Sequence, residues 1–244
     1  RRIIDAAVQA HARGVQLLLT PELALCGYAA EDLFLRPAFI DACDHALNDI
    51  LQGTAHLKGL HLVVGHPARQ SNIALRGRSV AVAGLYNAAS VLTEGRVVAR
   101  HAKRELPNYQ VFDERRYFVP GHEACVVPVP DAQGRPVKVG LLICEDAWFD
   151  APAADCKAAG AELLAVINAS PFHAGKGGER EDTMRQRARS TGLPLIYAHL
   201  VGGQDEIVFE GRSFALNADG SLAARAPSFE ACLFPLALNH ALEA

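Results

Sequence analysis

Apolar residues at positions 3, 4, 7 and 8 of RRIIDAAVQAHARG recur at helical spacing and predict an amphipathic helix that Gly14 ends. The next run, VQLLLT (15–20), predicts a strand, and PELALCGYAAEDLFL reads as a loop leading to a second helix at about 37–52. LHLVVG (60–65) repeats the strand signal. YNAASVLTEGRVVARHAK (86–103) has two β-prone runs separated by the Glu94-Gly95 turn, the pattern of an antiparallel hairpin. Apolar runs at 125–129 and 137–143 flank the turn-rich PDAQGRP, and ELLAVIN (162–168) and LPLIYAHL (193–200) predict further strands. A charged helix at about 179–191 lies between those two, and FEGRSFALNADGSLAAR reads as a hairpin around Asp219-Gly220. Strands alternating with helices, plus hairpins, predict a mixed-sheet α/β domain with its reactive groups at strand ends. No linker, low-complexity tract or internal repeat interrupts the pattern.

Composition narrows this picture. A chain of 244 residues and 26.1 kDa fits one large domain. With 50% hydrophobic residues, 21% charged residues and a net charge of −3, neither disorder nor a nucleic-acid surface working by bulk positive charge is expected. No apolar run approaches the roughly 18 residues of a membrane span, so no membrane partner is expected. The ten histidines are scattered and HExxH is absent, which disfavours a metal site. Cysteines 26, 43, 125, 144, 156 and 232 are widely spaced without a CxxC pair, which favours a reducing cytoplasm. The first helix lacks a cap before Arg1, so the sequence is expected to begin inside a domain.

Of the six cysteines, Cys144 stands apart, because VGLLICEDAWF puts it where a buried strand gives way to a short connection. A thiol there has a rigid mount, and an adjoining turn or helix N-terminus would lower its pKa. The plainer alternative is an inert buried thiol, the reading also given to Cys26 beside a loop glycine, Cys43 in a helix, Cys156 after DAPAAD, and Cys125 and Cys232 in strand-like runs. A nucleophilic Cys144 needs a base and a group to compensate oxyanion charge. Glu22 follows strand 15–20 and Pro21, and is either such a group or a solvated loop acid. Lys103 closes the 86–103 hairpin. The following RELPNYQVFDERRYFVPG mixes aromatic residues with Asp113, Glu114, Arg115 and Arg116, the make-up of a pocket wall or of a salt-bridged interface. ASPFHAGKGGERED lacks the Walker spacing, VGGQDEIVFEG lacks GxGxxG, and no GxSxG elbow occurs.

Taken in order, PELALCGYAAEDLFLRPAF, KRELPNYQVFDERRYFVPG, GLLICEDAWF, NASPFHAGK and VGGQDEIVFEG resemble the nitrilase superfamily, and more narrowly the glutaminase domains of glutamine-dependent NAD+ synthetases. These segments run from residue 21 to residue 211. The resemblance implies a four-layer α-β-β-α sandwich of the nitrilase type and a Glu-Lys-Cys triad matching Glu22, Lys103 and Cys144, with Glu114 as a further glutamate organising the site. It implies an amidohydrolase that turns glutamine into glutamate and ammonia through a Cys thioester, with pocket walls drawn from Tyr28, Tyr109, Glu114, Glu145, Trp148, Ser170 and Phe172. Glu114 or Glu145 would receive the substrate ammonium, and Tyr109 is the stronger neutral contact.

Residues 1–244 would be one nitrilase-like domain lacking its first strand, with no cofactor of its own. ATP and Mg2+ are expected in a C-terminal synthetase domain, whose SGGxDS-type phosphate loop this sequence does not contain. That partner domain, a homo-oligomer, a cytoplasmic location and a parent enzyme of the ligase class complete the expectation. Two positions depart from the family pattern: Ala29-Ala30 stand where prolines are usual, and His199 where asparagine is usual. The rival readings are a free-standing amidase acting on another small amide, a Cys-His hydrolase using His101 or His173, and a non-catalytic interaction domain.

Overall fold

The computed structural model describes residues 1–70, 84–109 and 111–238. Helix α1 (Arg2–Ala12) leads through Gly14, at φ +73°, into the short strand β1 (Leu17–Leu19). Helix α2 (Pro37–Thr54) has its proline in the first turn, where the missing N–H has no helical partner to lose. Strand β2 (His61–Arg69) pairs parallel with β1 and antiparallel with β3 (Leu85–Thr93), and β3 turns through Glu94-Gly95 into β4 (Arg96–Ala102). These four strands form one sheet, in the order β1-β2-β3-β4.

The second sheet begins with the antiparallel hairpin β5 (Cys125–Pro130) and β6 (Pro136–Ile143). Strands β6, β7 (Leu163–Asn168) and β8 (Leu195–His199) run parallel, and helices α3 (Asp150–Ala158) and α4 (Lys176–Thr191) make the crossovers that parallel pairing requires. Strands β9 (Val201–Gln204) and β10 (Ile207–Glu210) pair as a separate hairpin, and β11 (Phe214–Leu216) with β12 (Leu222–Arg225) completes the order β12-β11-β8-β7-β6-β5.

Side-chain alternation stacks these sheets. Val63, Ala89 and Val91 of the first sheet pack against Leu141, Ile143, Ala165 and Ile167 of the second, forming the inner core. Their neighbours point the other way, Leu62, Val64 and Leu92 onto α1 and α2, and Leu142, Leu164 and Val166 onto α3 and α4. The result is the four-layer α-β-β-α sandwich expected from the sequence. Because both sheets are covered on both faces, polar groups in the middle must find partners there.

Several boundaries differ from expectation for local reasons. Helix α4 starts at Lys176 because Gly175, at φ +89°, turns the chain into it. The β9–β10 hairpin escaped a pattern-based reading because its first strand, VGGQ, offers one apolar side chain. Cys232, expected in a strand-like run, lies exposed in irregular chain. Among the described residues no helix is long and apolar enough to cross a membrane, and no group of side chains could hold a metal ion.

Two features of the packing generate tests. Gly65 of β2 lies under the Pro21–Leu23 turn, and a Cβ there would meet Leu23 N at 2.6 Å and Pro21 O closer still. Gly65→Ala should therefore shift that turn and destabilise the fold by about 1–3 kcal/mol, read as a lower urea midpoint. His66 and His199 are buried, and burial, aided by Arg100 and Arg180 respectively, lowers them from 6.5 to about 4 and about 3. Both are thus neutral when folded and take up protons near 6.5 when unfolded. Stability should be full above about pH 6.5 and fall as pH drops towards 4, and His66→Gln should make that loss in thermal midpoint shallower.

Candidate active site

Glu22 after β1, Asn87 of β3, Lys103 after β4 and Glu114 of its own turn converge in one buried cluster, with Cys144 at the end of β6 beside it. Cys144 opens a 3-10 turn (Cys144–Trp148) at the end of β6 and has φ +47°, a left-handed backbone unusual for a residue with a side chain. Behind it, the fully buried Asp146 carboxylate accepts hydrogen bonds from the N–H groups of Ile143 (3.0 Å), Arg104 (2.8 Å) and Glu105 (2.9 Å), and from His101 Nε2 (2.8 Å). One carboxylate thus fastens the end of β6 in one sheet to the end of β4 in the other, and so fixes Cys144 relative to Lys103.

Lys103 follows β4 and is 0% exposed. Its Nζ donates to Glu22 Oε1 and to Glu114 Oε1, both at 2.7 Å. Burial alone would lower this ammonium, but the two carboxylates outweigh it and hold the group well above its ordinary value. Glu22 is also 0% exposed, and accepts from Asn87 Nδ2 (2.8 Å) on Oε1 and from Ala169 N–H (3.0 Å) on Oε2. Glu114, in the turn Glu114–Arg116, further accepts from the Tyr28 hydroxyl (2.8 Å) and from Asn87 Nδ2 (3.3 Å). Burial raises Glu114, with Lys103 opposing and the neighbouring Glu22 adding to the rise.

The thiol corrects one expectation. Burial pushes Cys144 well above its ordinary value, Glu22 adds to the shift, and Lys103 and Ser170 only partly oppose it. The expected lowering fails because the thiol is buried and Lys103, its nearby cation among the described residues, is already shared by two carboxylates, so the resting side chain is a neutral thiol. Its hydrogen-bond partner among the described residues is Ser170 Oγ, at 3.5 Å.

The remaining expected wall residues divide. Tyr28 belongs to the buried cluster. Tyr109 and Glu145 form a pair at the solvent edge, with the hydroxyl donating to Glu145 Oε1 at 2.9 Å, and burial raises Glu145. A cavity of about 360 Å3 is lined in part by Leu23, Tyr28, Phe34, Glu114 and Phe118, and its lining does not include Cys144 or Lys103. Phe172 is exposed and packs edge-on against Phe229 at 5.3 Å, out on the rim. Trp148 does not join the others. Its position at the end of the turn packs it against the α3–α4 core, and its carbonyl accepts from Arg187. Ala29-Ala30 lie on the loop carrying Tyr28, and the Ala29 carbonyl accepts from Gln204 of β9.

Of the histidines weighed as bases, His101 is held by Asp146 and His173 is exposed, and neither hydrogen-bonds Cys144. His199 pairs in register with Asn168, and its Nδ1 faces the Leu200 carbonyl at 2.8 Å. Asn87 and Asp146 were missed from sequence. Their signal was a polar residue at a buried strand or turn position, as in YNAAS and ICEDAW.

Comparison with known proteins agrees with this geometry. The carbon-nitrogen hydrolase family model matches residues 1–236. The glutamine-dependent NAD(+) synthetase of Xanthomonas campestris pv. campestris (strain 8004) is 45% identical over 215 residues, covering 87% of this chain and 36% of that enzyme. Among solved structures, the glutamine-dependent NAD+ synthetase from Acinetobacter baumannii, in complex with ADP, superposes with a TM-score of 0.82 at 33% identity, covering 96% of this chain and 41% of that one. A mutant of the amidase from Nesterenkonia sp. AN1, showing covalent addition of the acetamide moiety of fluoroacetamide at the active site cysteine, superposes at 0.73 with 27% identity, covering 92% of this chain and 78% of that one. The chain spans little more than a third of the length of the synthetases it matches. It is homologous to that part of the glutamine-dependent NAD+ synthetases and belongs to the carbon-nitrogen hydrolase family.

Proposed function

We propose that this chain hydrolyses the side-chain amide of L-glutamine, with Cys144 as nucleophile, Glu22 as general base and acid, and Lys103 as the oxyanion's cation. The observation that carries the reading is the buried Lys103 ammonium held between Glu22 and Glu114 beside the Cys144 thiol. The covalent adduct at the active site cysteine of the Nesterenkonia amidase supports the same role for Cys144.

A neutral resting thiol makes deprotonation part of the attack. As Sγ bonds to the carboxamide carbon, its proton passes to Glu22, and the carbonyl electrons move to an oxygen facing Lys103 and the N–H groups at the start of the turn. Collapse of that intermediate expels nitrogen, which takes the proton from Glu22 and leaves as ammonia. Water then attacks the glutamyl thioester, Glu22 again accepts the proton and returns it to the departing Cys144 sulfur, and glutamate leaves. Glu114 is fully engaged by Lys103, Tyr28 and Asn87, so Glu145, whose side-chain hydrogen-bond partner among the described residues is Tyr109, is the better receiver of the substrate ammonium. Ser170, 3.5 Å from the Cys144 thiol, and the exposed Phe172 would then face the bound substrate.

In the whole protein, the ammonia would be passed to an ATP- and Mg2+-dependent synthetase domain that amidates nicotinic acid adenine dinucleotide to NAD+. A ligase class, a homo-oligomer and a cytoplasmic setting belong to that same reading, which the synthetase relatives support. A free-standing amidase acting on another small amide is the second reading, favoured by the 78% coverage of the Nesterenkonia chain.

Release of glutamate and ammonia from L-glutamine, compared with release from simple aliphatic amides, separates the two. The glutaminase reading expects preference for glutamine and a loss of at least about 1,000-fold in kcat for Cys144→Ala. Lys103→Met and Glu22→Gln should each cost about 100-fold or more. Undiminished turnover by Cys144→Ala would sink the nucleophile assignment, and preference for a simple amide would favour the second reading.

A further inference from the structure

Asn87 touches more of the reactive cluster than any role in its strand requires. Its carbonyl accepts the Lys103 N–H at 2.8 Å, and its side-chain Nδ2 donates to Glu22 Oε1 at 2.8 Å and to Glu114 Oε2 at 3.3 Å. Its Oδ1 is buried and has no hydrogen-bond partner among the described residues. The amide cannot turn over to relieve this, because the oxygen would then face two carboxylates. Leaving a buried acceptor unpaired is unfavourable, and an apolar side chain would suit a position fully enclosed beside Ala88 and Ala89 better. The sheet therefore does not explain the residue, whereas the carboxylates do.

We propose that Asn87 is a positioning residue for amide hydrolysis, its side-chain amide holding Glu22 and Glu114 at a fixed separation around Lys103. This rests on the reading of Glu22 as the proton carrier. A second cation could hold both carboxylates too, but it would oppose the proton that Glu22 must accept in each half of the reaction. A neutral amide donates two hydrogen bonds without that opposition. The charged and titratable groups facing this position are Glu22 from the loop after β1, Tyr28 from the same loop, Lys103 after β4, Glu114 from its turn and Cys144 after β6. The Tyr197 hydroxyl of β8 also feels Glu22 and Cys144.

The test compares the wild type with Asn87→Leu, Asn87→Asp and Asn87→Ser, reading glutamine kcat and KM against pH, thermal midpoint, and the pH dependence of Cys144 alkylation by iodoacetamide. Asn87→Leu should lose about 100-fold in kcat at every pH with KM little changed. Asn87→Ser, able to donate one hydrogen bond, should fall between it and the wild type. Asn87→Asp should lose as much as Asn87→Leu at pH 8 but recover as the pH is lowered, because a protonated carboxyl can donate again. Its added charge should also move Cys144 alkylation to higher pH. Wild-type kcat and pH profiles in folded Asn87→Leu and Asn87→Asp would overturn the proposal. So would losses in all three variants that follow only the fraction of folded protein. If the wild type releases no glutamate from glutamine, the glutaminase reading fails separately, and the alkylation profiles still judge Asn87: an unmoved profile in folded Asn87→Asp refutes it.

Discussion

A single ammonium, Lys103 Nζ, is buried between two carboxylates at 2.7 Å each, and the centre of the molecule is organised around it. An isolated buried charge of this kind would cost several kcal/mol, and removing one partner from such a set leaves another charge uncompensated. The fold meets the constraint by bringing Glu22 from the loop after β1, Lys103 from the end of β4 and Glu114 from its own turn to one point. A neutral amide from β3, the Tyr28 hydroxyl and the Ala169 N–H supply further donors. Burial, together with two carboxylates against one cation, explains why Cys144 rests as a neutral thiol: the charge that would favour a thiolate is already in use.

The thiol's place depends on a second buried carboxylate. Asp146 receives four hydrogen bonds from segments of both sheets, and through it the left-handed residue Cys144 is locked to the stretch that carries Lys103. Sheet-to-sheet packing alone would leave the strand ends free to slide by fractions of an ångström, which matters for a reaction that depends on near-attack geometry. Precision here comes from polar groups in the interior, while the apolar layers above and below supply rigidity.

The layers were largely legible in the sequence because buried strands showed runs such as LLLT, HLVVG or VGLLI, and the first helix an apolar stripe. Glu22, Lys103 and Cys144 were legible as strand-end residues, and their resemblance to a known triad singled them out from other acids, lysines and thiols. The direction of the Cys144 shift was not legible, since it depends on how many groups share Lys103. Nor was the placing of Trp148, expected in the pocket wall but packed against the α3–α4 core. Asn87 and Asp146 share a different obscurity. Each looks like an ordinary polar residue until its neighbours across the sheets are known.

The central claim is that glutamine is opened by covalent attack of Cys144. Rapid acid quenching of the protein during turnover of L-glutamine, followed by intact mass measurement and peptide mapping, observes that step directly. The account predicts a glutamyl group on Cys144 during turnover, at a level set by the balance of its formation and its hydrolysis, both of which use Glu22 and both of which Glu22→Gln slows. Glutamate formation with no acyl group on Cys144 in either protein, or an acyl group carried by another residue, would contradict it.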